Sequence, residues 1–194
     1  MKQFYEIHHQ QYFNDTVEID PCSFLSPLIA ELKAKARILD IGCGSGRDML
    51  WFKNKGYEPT GFEQSPSLAK LAHDYSGCPV IEGDFTAFNF SSLSFDALVL
   101  IGALVHITTL NFPNVFMSVC NALSSDGLIL ITMKEGKGIS LNSDGRTFTL
   151  WQQDDLEAIF LNENFQILSF SRQISKLRYS DIWMTYILKK NEIV

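Results

Sequence analysis

Residues 38–48 read ILDIGCGSGRD, and no other stretch of the chain restricts its fold so tightly. Ile38, Leu39 and Ile41 make a short apolar run with Asp40 inside it. Three glycines follow at alternate positions, Gly42, Gly44 and Gly46, before a helical pattern opens at Arg47. A buried strand that breaks into a glycine turn and feeds a helix N-terminus is the nucleotide-binding corner of an open α/β sheet. Backbone without Cβ atoms can approach a ligand closely there. The dinucleotide fingerprint GxGxxG needs a glycine where this chain has Arg47, so the turn reads GxGxG instead. That departure counts against an NAD(P)-linked oxidoreductase. A tight corner that holds no ligand is the plainer alternative.

The rest of the chain alternates as such a sheet requires. Strands are expected at 57–62, 79–81, 95–101, 128–133, 165–170 and 182–188. Helices are expected at 47–55 with Gly56 as C-terminal cap, from Ser65-Pro66 to about Asp74, at 115–123 and at 150–161. The run FDALVLI at 95–101 is apolar on both faces and so reads as a covered central strand. Pro59 predicts a bulge in its strand, Asp20-Pro21 and Ser26-Pro27 each read as an N-cap with a first turn, and Asp126-Gly127 reads as a turn. Residues 134–145, rich in Gly, Ser and Lys, read as a loop with a turn at Asp144-Gly145.

At 194 residues the chain suits one domain, 1–194, within which 1–34 forms an N-terminal segment. Phe4, Tyr5, Tyr12 and Phe13 make that segment too aromatic for a solvated tail; it is either a helix packed on the sheet or a lid over a ligand pocket. A formal charge of -6 argues against a binder of phosphate backbones, so no nucleic-acid partner is expected. Cys22, Cys43, Cys78 and Cys120 form no CxxC pair and no metal-ligand spacing; they read as reduced thiols, with no metal site. The polar N-terminus offers no signal-peptide core, and the longest apolar run, 97–105, is too short to cross a bilayer. A cytoplasmic protein without a membrane partner is therefore expected. Composition says nothing about oligomeric state.

Two positions suggest chemistry. Glu63 stands 21 residues after Gly42, at a strand end, where a carboxylate can accept both hydroxyls of a ribose; the alternative is an exposed loop glutamate. His106 lies just past the central strand and could serve as a general base, or could simply pack the loop.

With its GxGxG turn, the corner resembles that of class I S-adenosylmethionine-dependent methyltransferases. The segments ILDIGCGSGRD, Gly56-Tyr57, LVHI, MKEGKG followed by SDGRTF, and the terminal ILKK resemble in particular small bacterial methyltransferases of a tellurite-resistance-like group. The resemblance implies a Rossmann-like seven-stranded sheet of order 3-2-1-4-5-7-6, with the last strand antiparallel and helices on both faces. It implies S-adenosyl-L-methionine as cofactor, methyl transfer to an O, N or S atom of a small-molecule acceptor, or, failing catalysis, a cofactor-binding module.

The cofactor would be held by Asp40, Gly42, Cys43, Gly44, Gly46, Arg47, Glu63, Gln64, Asp84, Phe85, Ile101 and Gly102. Asp40 would orient the turn amides, Asp84 would meet the adenine amino group, the Phe85 amide a ring nitrogen, and the Ile101-Gly102 backbone the cofactor's amino group. Strand four lacks the Asn/Asp-Pro-Pro-aromatic motif carried by methyltransferases of base amines and glutamine side chains. Pro59, Glu63 in place of the commoner Asp, and the Arg178-Tyr179 stretch before Trp183 depart from the group's pattern.

Overall fold

A computed structural model describes residues 2–175 and 180–191, and these residues form nine strands. They are β1 (Arg37–Ile41), β2 (Glu58–Glu63), β3 (Val80–Glu82), β4 (Phe95–Ile101), β5 (Leu123–Lys134), β6 (Ile139–Leu141), β7 (Thr147–Thr149), β8 (Phe165–Ile174) and β9 (Ile182–Lys190). Seven of them make one sheet in the order β3-β2-β1-β4-β5-β9-β8, with β9 antiparallel to both its neighbours. This is the expected arrangement; β8 and β9 are the sixth and seventh sheet strands. The Arg178-Tyr179 stretch lies outside the described residues.

Alternation along the apolar strands divides the core between the two faces of the sheet. Leu39, Leu98, Leu100, Ile129 and Ile131 pack on one face with Phe112 and Phe116 of α6 (Phe112–Cys120) and Leu156 and Phe160 of α7 (Gln153–Asn162). Ile38, Ala97, Val99, Leu128 and Leu130 pack on the other with Leu25 and Leu28 of α3 (Cys22–Ile29) and Phe52 of α4 (Arg47–Asn54). Each such side chain contributes about 1.5–3 kcal/mol when fully buried. The N-terminal segment forms α1 (Lys2–Ile7) and α2 (His9–Thr16), which lie against α5 (Pro66–Ser76).

Four local expectations are corrected. Pro59 causes no bulge: it pairs in register with Ile38, and the ladder from β2 to β3 begins only at Gly61. The Glu58 amide donates toward β1, so the missing Pro59 N–H would face the other side, before β3 has started. Ser26-Pro27 is not a helix start. Asp20 Oδ1 accepts from the Cys22 amide at 2.9 Å, and Pro27 lies inside α3. Asp126-Gly127 is not a turn before a strand but part of β5, where the register with β4 jumps from Phe95↔Leu123 to Ala97↔Leu128. Finally, the segment expected as a loop at 134–145 carries β6, which pairs with β7 in a separate two-stranded hairpin.

Order reverses between β1 and β4, so the crevice at their carboxyl ends is the place where an open α/β sheet takes a ligand. Asp40, Gly42, Ile101 and Gly102 stand at those ends, and Glu63 at the carboxyl end of the neighbouring β2.

Candidate active site

Two adjoining cavities open at this crevice. One, of about 310 Å³, is lined by Gly42, Gly44, Glu63, Gln64, Asp84, Phe85, Ile101, Gly102 and His106, among others. The second, of about 220 Å³, is lined by Asp40, Cys43, Arg47, Lys134, Arg146 and Trp183, among others. Tyr5, Tyr12, Gly42, Ile101 and Gly102 border both.

The turn takes its shape from its glycines. Gly44 has φ +54° and Gly46 φ +76°, values that side chains other than glycine's rarely adopt. Their surroundings differ. A Cβ on Gly44 would stand 3.0 Å from the Tyr12 ring at the cavity wall, whereas one on Gly46 would stand 2.7 Å from the backbone oxygen of Ala72 in α5. Gly46 borders neither cavity; its lack of a side chain lets α5 approach the turn.

Glu63 is 5% exposed and braces the turn from the cavity wall. Its Oε2 accepts from the Gly44 amide at 3.1 Å, and its Oε1 accepts from the Gln64 and Ser65 amides at 2.9 and 3.0 Å. Burial raises its pKa, and the three amides pull it back down. Asp40 is buried beneath the turn, and burial with the nearby Asp48 carboxylate raises its pKa well above the ordinary value. Its Oδ2 has no hydrogen-bond partner among the described residues. A buried polar atom left unpaired at a cavity wall is a place for a ligand donor. Arg47 is committed elsewhere: its Nε and Nη2 donate to Asp48 at 2.7 and 2.9 Å. Burial keeps the Cys43 thiol protonated by pushing its pKa well up. Asp84 sits at the cavity rim and also closes its own turn, accepting from the Thr86 amide at 2.9 Å, while Phe85 is buried.

His106 lies in a 3₁₀ turn (Leu104–His106) just past β4, with both ring nitrogens occupied. Nδ1 is 2.6 Å from the Thr147 carbonyl oxygen, and Nε2 is 2.8 Å from the Tyr5 hydroxyl. Burial lowers its pKa to about 4, and the charges of Arg146 and Lys134 act in the same direction. The N-terminal helices close over the crevice through this contact and through Glu6, which accepts from the Ser65 and Ser67 hydroxyls, each at 2.5 Å, beside the Glu63 strand end.

A family profile described as a methyltransferase domain matches residues 38–127. Over 106 residues the chain is 30% identical to an uncharacterized methyltransferase of Staphylococcus carnosus, covering 54% of this chain and 51% of that one. Among solved structures, a 1,6-didemethyltoxoflavin-N1-methyltransferase of Burkholderia thailandensis, bound to 1,6-didemethyltoxoflavin and S-adenosylhomocysteine, is similar with a TM-score of 0.77 and 20% identity, over 97% of this chain and 84% of that one. Residues 38–127 thus carry a methyltransferase domain, on a sheet with the fold of S-adenosylmethionine-dependent methyltransferases. A magnesium protoporphyrin IX methyltransferase of Synechocystis PCC 6803, solved with S-adenosylhomocysteine, matches with a TM-score of 0.77 at 10% identity, over 98% of each chain. The chain spans 39% to 53% of the length of the curated relatives it matches.

The site also holds residues that the sequence did not single out. Lys134, 4% exposed at the end of β5, donates to Asp181 at 2.6 Å and lies 3.8 Å from the centroid of the Phe148 ring. Arg146 is paired with Asp144 at 2.8 Å and lies 5.5 Å from the same ring. A lysine closing the apolar run LILITMK was the available signal, since a buried ammonium needs a reason to be there.

Proposed function

We propose that the protein transfers the methyl group of S-adenosylmethionine to an O, N or S atom of a small-molecule acceptor. The observation that carries this reading is the pair of adjoining cavities: one bounded by the glycine turn and the buried Glu63 carboxylate, the other walled by aromatic rings and by Lys134 and Arg146. The residues fit the cofactor. Glu63 keeps one lone pair, on Oε2, for a ribose hydroxyl, the unpaired Asp40 Oδ2 stands beneath the turn, and Asp84 and Phe85 border the cavity where an adenine would sit. The toxoflavin and protoporphyrin enzymes, whose substrates are small molecules, support an acceptor of that class. The closer grouping with tellurite-resistance relatives rests on the sequence segments alone.

When bound, the cofactor supplies a methyl group already activated on a sulfonium. The protein's own share is to align the acceptor with it and to exclude water, and alignment can lower a barrier by roughly 7–11 kcal/mol in the best cases. Tyr5 and Tyr12 cover the junction of the two cavities, and Glu6 fastens their helices to the start of α5. Incubation with S-adenosylmethionine and a metabolite library tests the reading. S-adenosylhomocysteine should form above the library-free rate with at least one compound. Saturable cofactor binding with no turnover in any pool would point to a binding module.

A further inference from the structure

We infer that Tyr5 is the side chain that contacts the attacking atom of the methyl acceptor, and that His106 is the residue that positions it; this rests on the methyl-transfer reading. A carbonyl oxygen can only accept a hydrogen bond, so the Thr147 oxygen at 2.6 Å holds the imidazole proton on Nδ1. Nε2 is then bare and accepts from the Tyr5 hydroxyl at 2.8 Å. That bond uses the one proton Tyr5 has. Toward anything entering the cavity, the phenolic oxygen can act only as an acceptor.

Its position gives that polarity a consequence. Tyr5 borders both cavities, at the junction where an acceptor in one must meet a methyl group presented from the other. An acceptor is therefore recognised by a hydrogen on its attacking atom, as in a hydroxyl, a thiol, or a primary or secondary amine. Thioethers and tertiary amines, which carry none, are disfavoured. The attacking lone pair forms the bond to the methyl carbon while the carbon–sulfur bond of the sulfonium breaks and leaves its pair on sulfur. The hydrogen bonded to Tyr5 stays on the product atom and passes to solvent afterwards. His106 takes no proton in this step.

Among the described residues, the charged or titratable groups that face the imidazole are Tyr5 from α1, Arg146 from the hairpin and Lys134 from β5. Burial and the two cations keep the ring neutral down to about 4, so the direction of the Tyr5 hydroxyl is constant across the neutral range. The Arg146 guanidinium donates to the Tyr5 oxygen, which leaves that oxygen one lone pair for an entering donor.

Phenol and anisole, which differ in the hydrogen on oxygen, are the probes. Each is titrated into the full chain saturated with S-adenosylhomocysteine and followed by tryptophan fluorescence. Phenol should bind about fivefold more tightly than anisole, the worth of one ordinary hydrogen bond, and in Tyr5→Phe the preference should vanish. Nitrogen-15 spectra of histidine-labelled protein should show His106 neutral at pH 7 with its proton on Nδ1. Equal binding of the two probes, no binding of either, a preference that survives Tyr5→Phe, or a proton on Nε2 would each overturn the inference. If S-adenosylhomocysteine itself fails to saturate the wild-type protein, the methyl-transfer reading falls, and this one with it.

Discussion

The floor of the crevice and its roof are built differently. The floor consists of strand ends and one turn: Glu63 reaches the Gly44, Gln64 and Ser65 amides, and the glycine turn is locked between β2 and α5. Its parts are positioned by the same sheet that buries the core. The roof is assembled from remote segments, with Tyr5 meeting His106 across 101 residues, His106 meeting Thr147 across 41, and Glu6 meeting Ser65 across 59. Phe148, Leu104 and Val105 join the hairpin and the His106 turn to the core, whereas α1 is fastened through the Tyr5–His106 bond and Glu6. On the proposed function, cofactor recognition would fall to the floor and acceptor recognition to the roof.

Substitutions can break that contrast. The largest effect is expected at Gly46, where a side chain would meet the Ala72 backbone at 2.7 Å with φ already at +76°. Gly46→Val should cost on the order of 3 kcal/mol or more and lower the melting temperature by several degrees. Gly44→Ala, which meets only the movable Tyr12 ring, should destabilise less and weaken cofactor binding instead. Equal loss of stability in calorimetry would erase the distinction between these two glycines.

Next in size, Glu63→Ala should weaken S-adenosylhomocysteine binding by at least about tenfold in a titration, since a charge-assisted hydrogen bond is lost and the turn loses its brace. The roof responds to pH. His106 has a folded pKa of about 4 against 6.5 unfolded, so between those values the unfolded chain binds more protons. Its contribution is intact above about pH 6.5 and is lost as pH falls toward 4, by at most about 1.4 kcal/mol per unit. Denaturation curves of His106→Gln should be correspondingly flatter over that window than those of the wild type. Smallest of all, Glu6→Gln should speed cofactor release by about threefold in stopped-flow displacement, because its two hydroxyl contacts lie at the rim.

The same contrast explains what the sequence could tell. The glycine spacing, the apolar strands and the carboxylate at 63 carry their meaning locally, through backbone conformation and burial, and the sheet order follows from them together with the resemblance. Pro27 and Asp126-Gly127 misled because turn chemistry was read without the tertiary context that overrides it: the one sits inside a buried helix, the other in a strand whose register slips. The SDGRTF segment at 143–148 carried part of the resemblance, but nothing local to the hairpin says that its Arg146 and Thr147 will meet α1 and the turn after β4. His106 was visible as a candidate, but not the hydroxyl that covers its Nε2.

The central claim is that the backbone at 42–46 and the carboxylate at 63 form a site for an adenosine that bears an amino acid. Calorimetric titration of the wild-type chain with S-adenosylhomocysteine, in parallel with NAD, tests it most directly. The account predicts saturable binding of S-adenosylhomocysteine at one site, sharply weakened in Glu63→Ala, and no saturable binding of NAD. Saturable binding of NAD with no response to S-adenosylhomocysteine would contradict it.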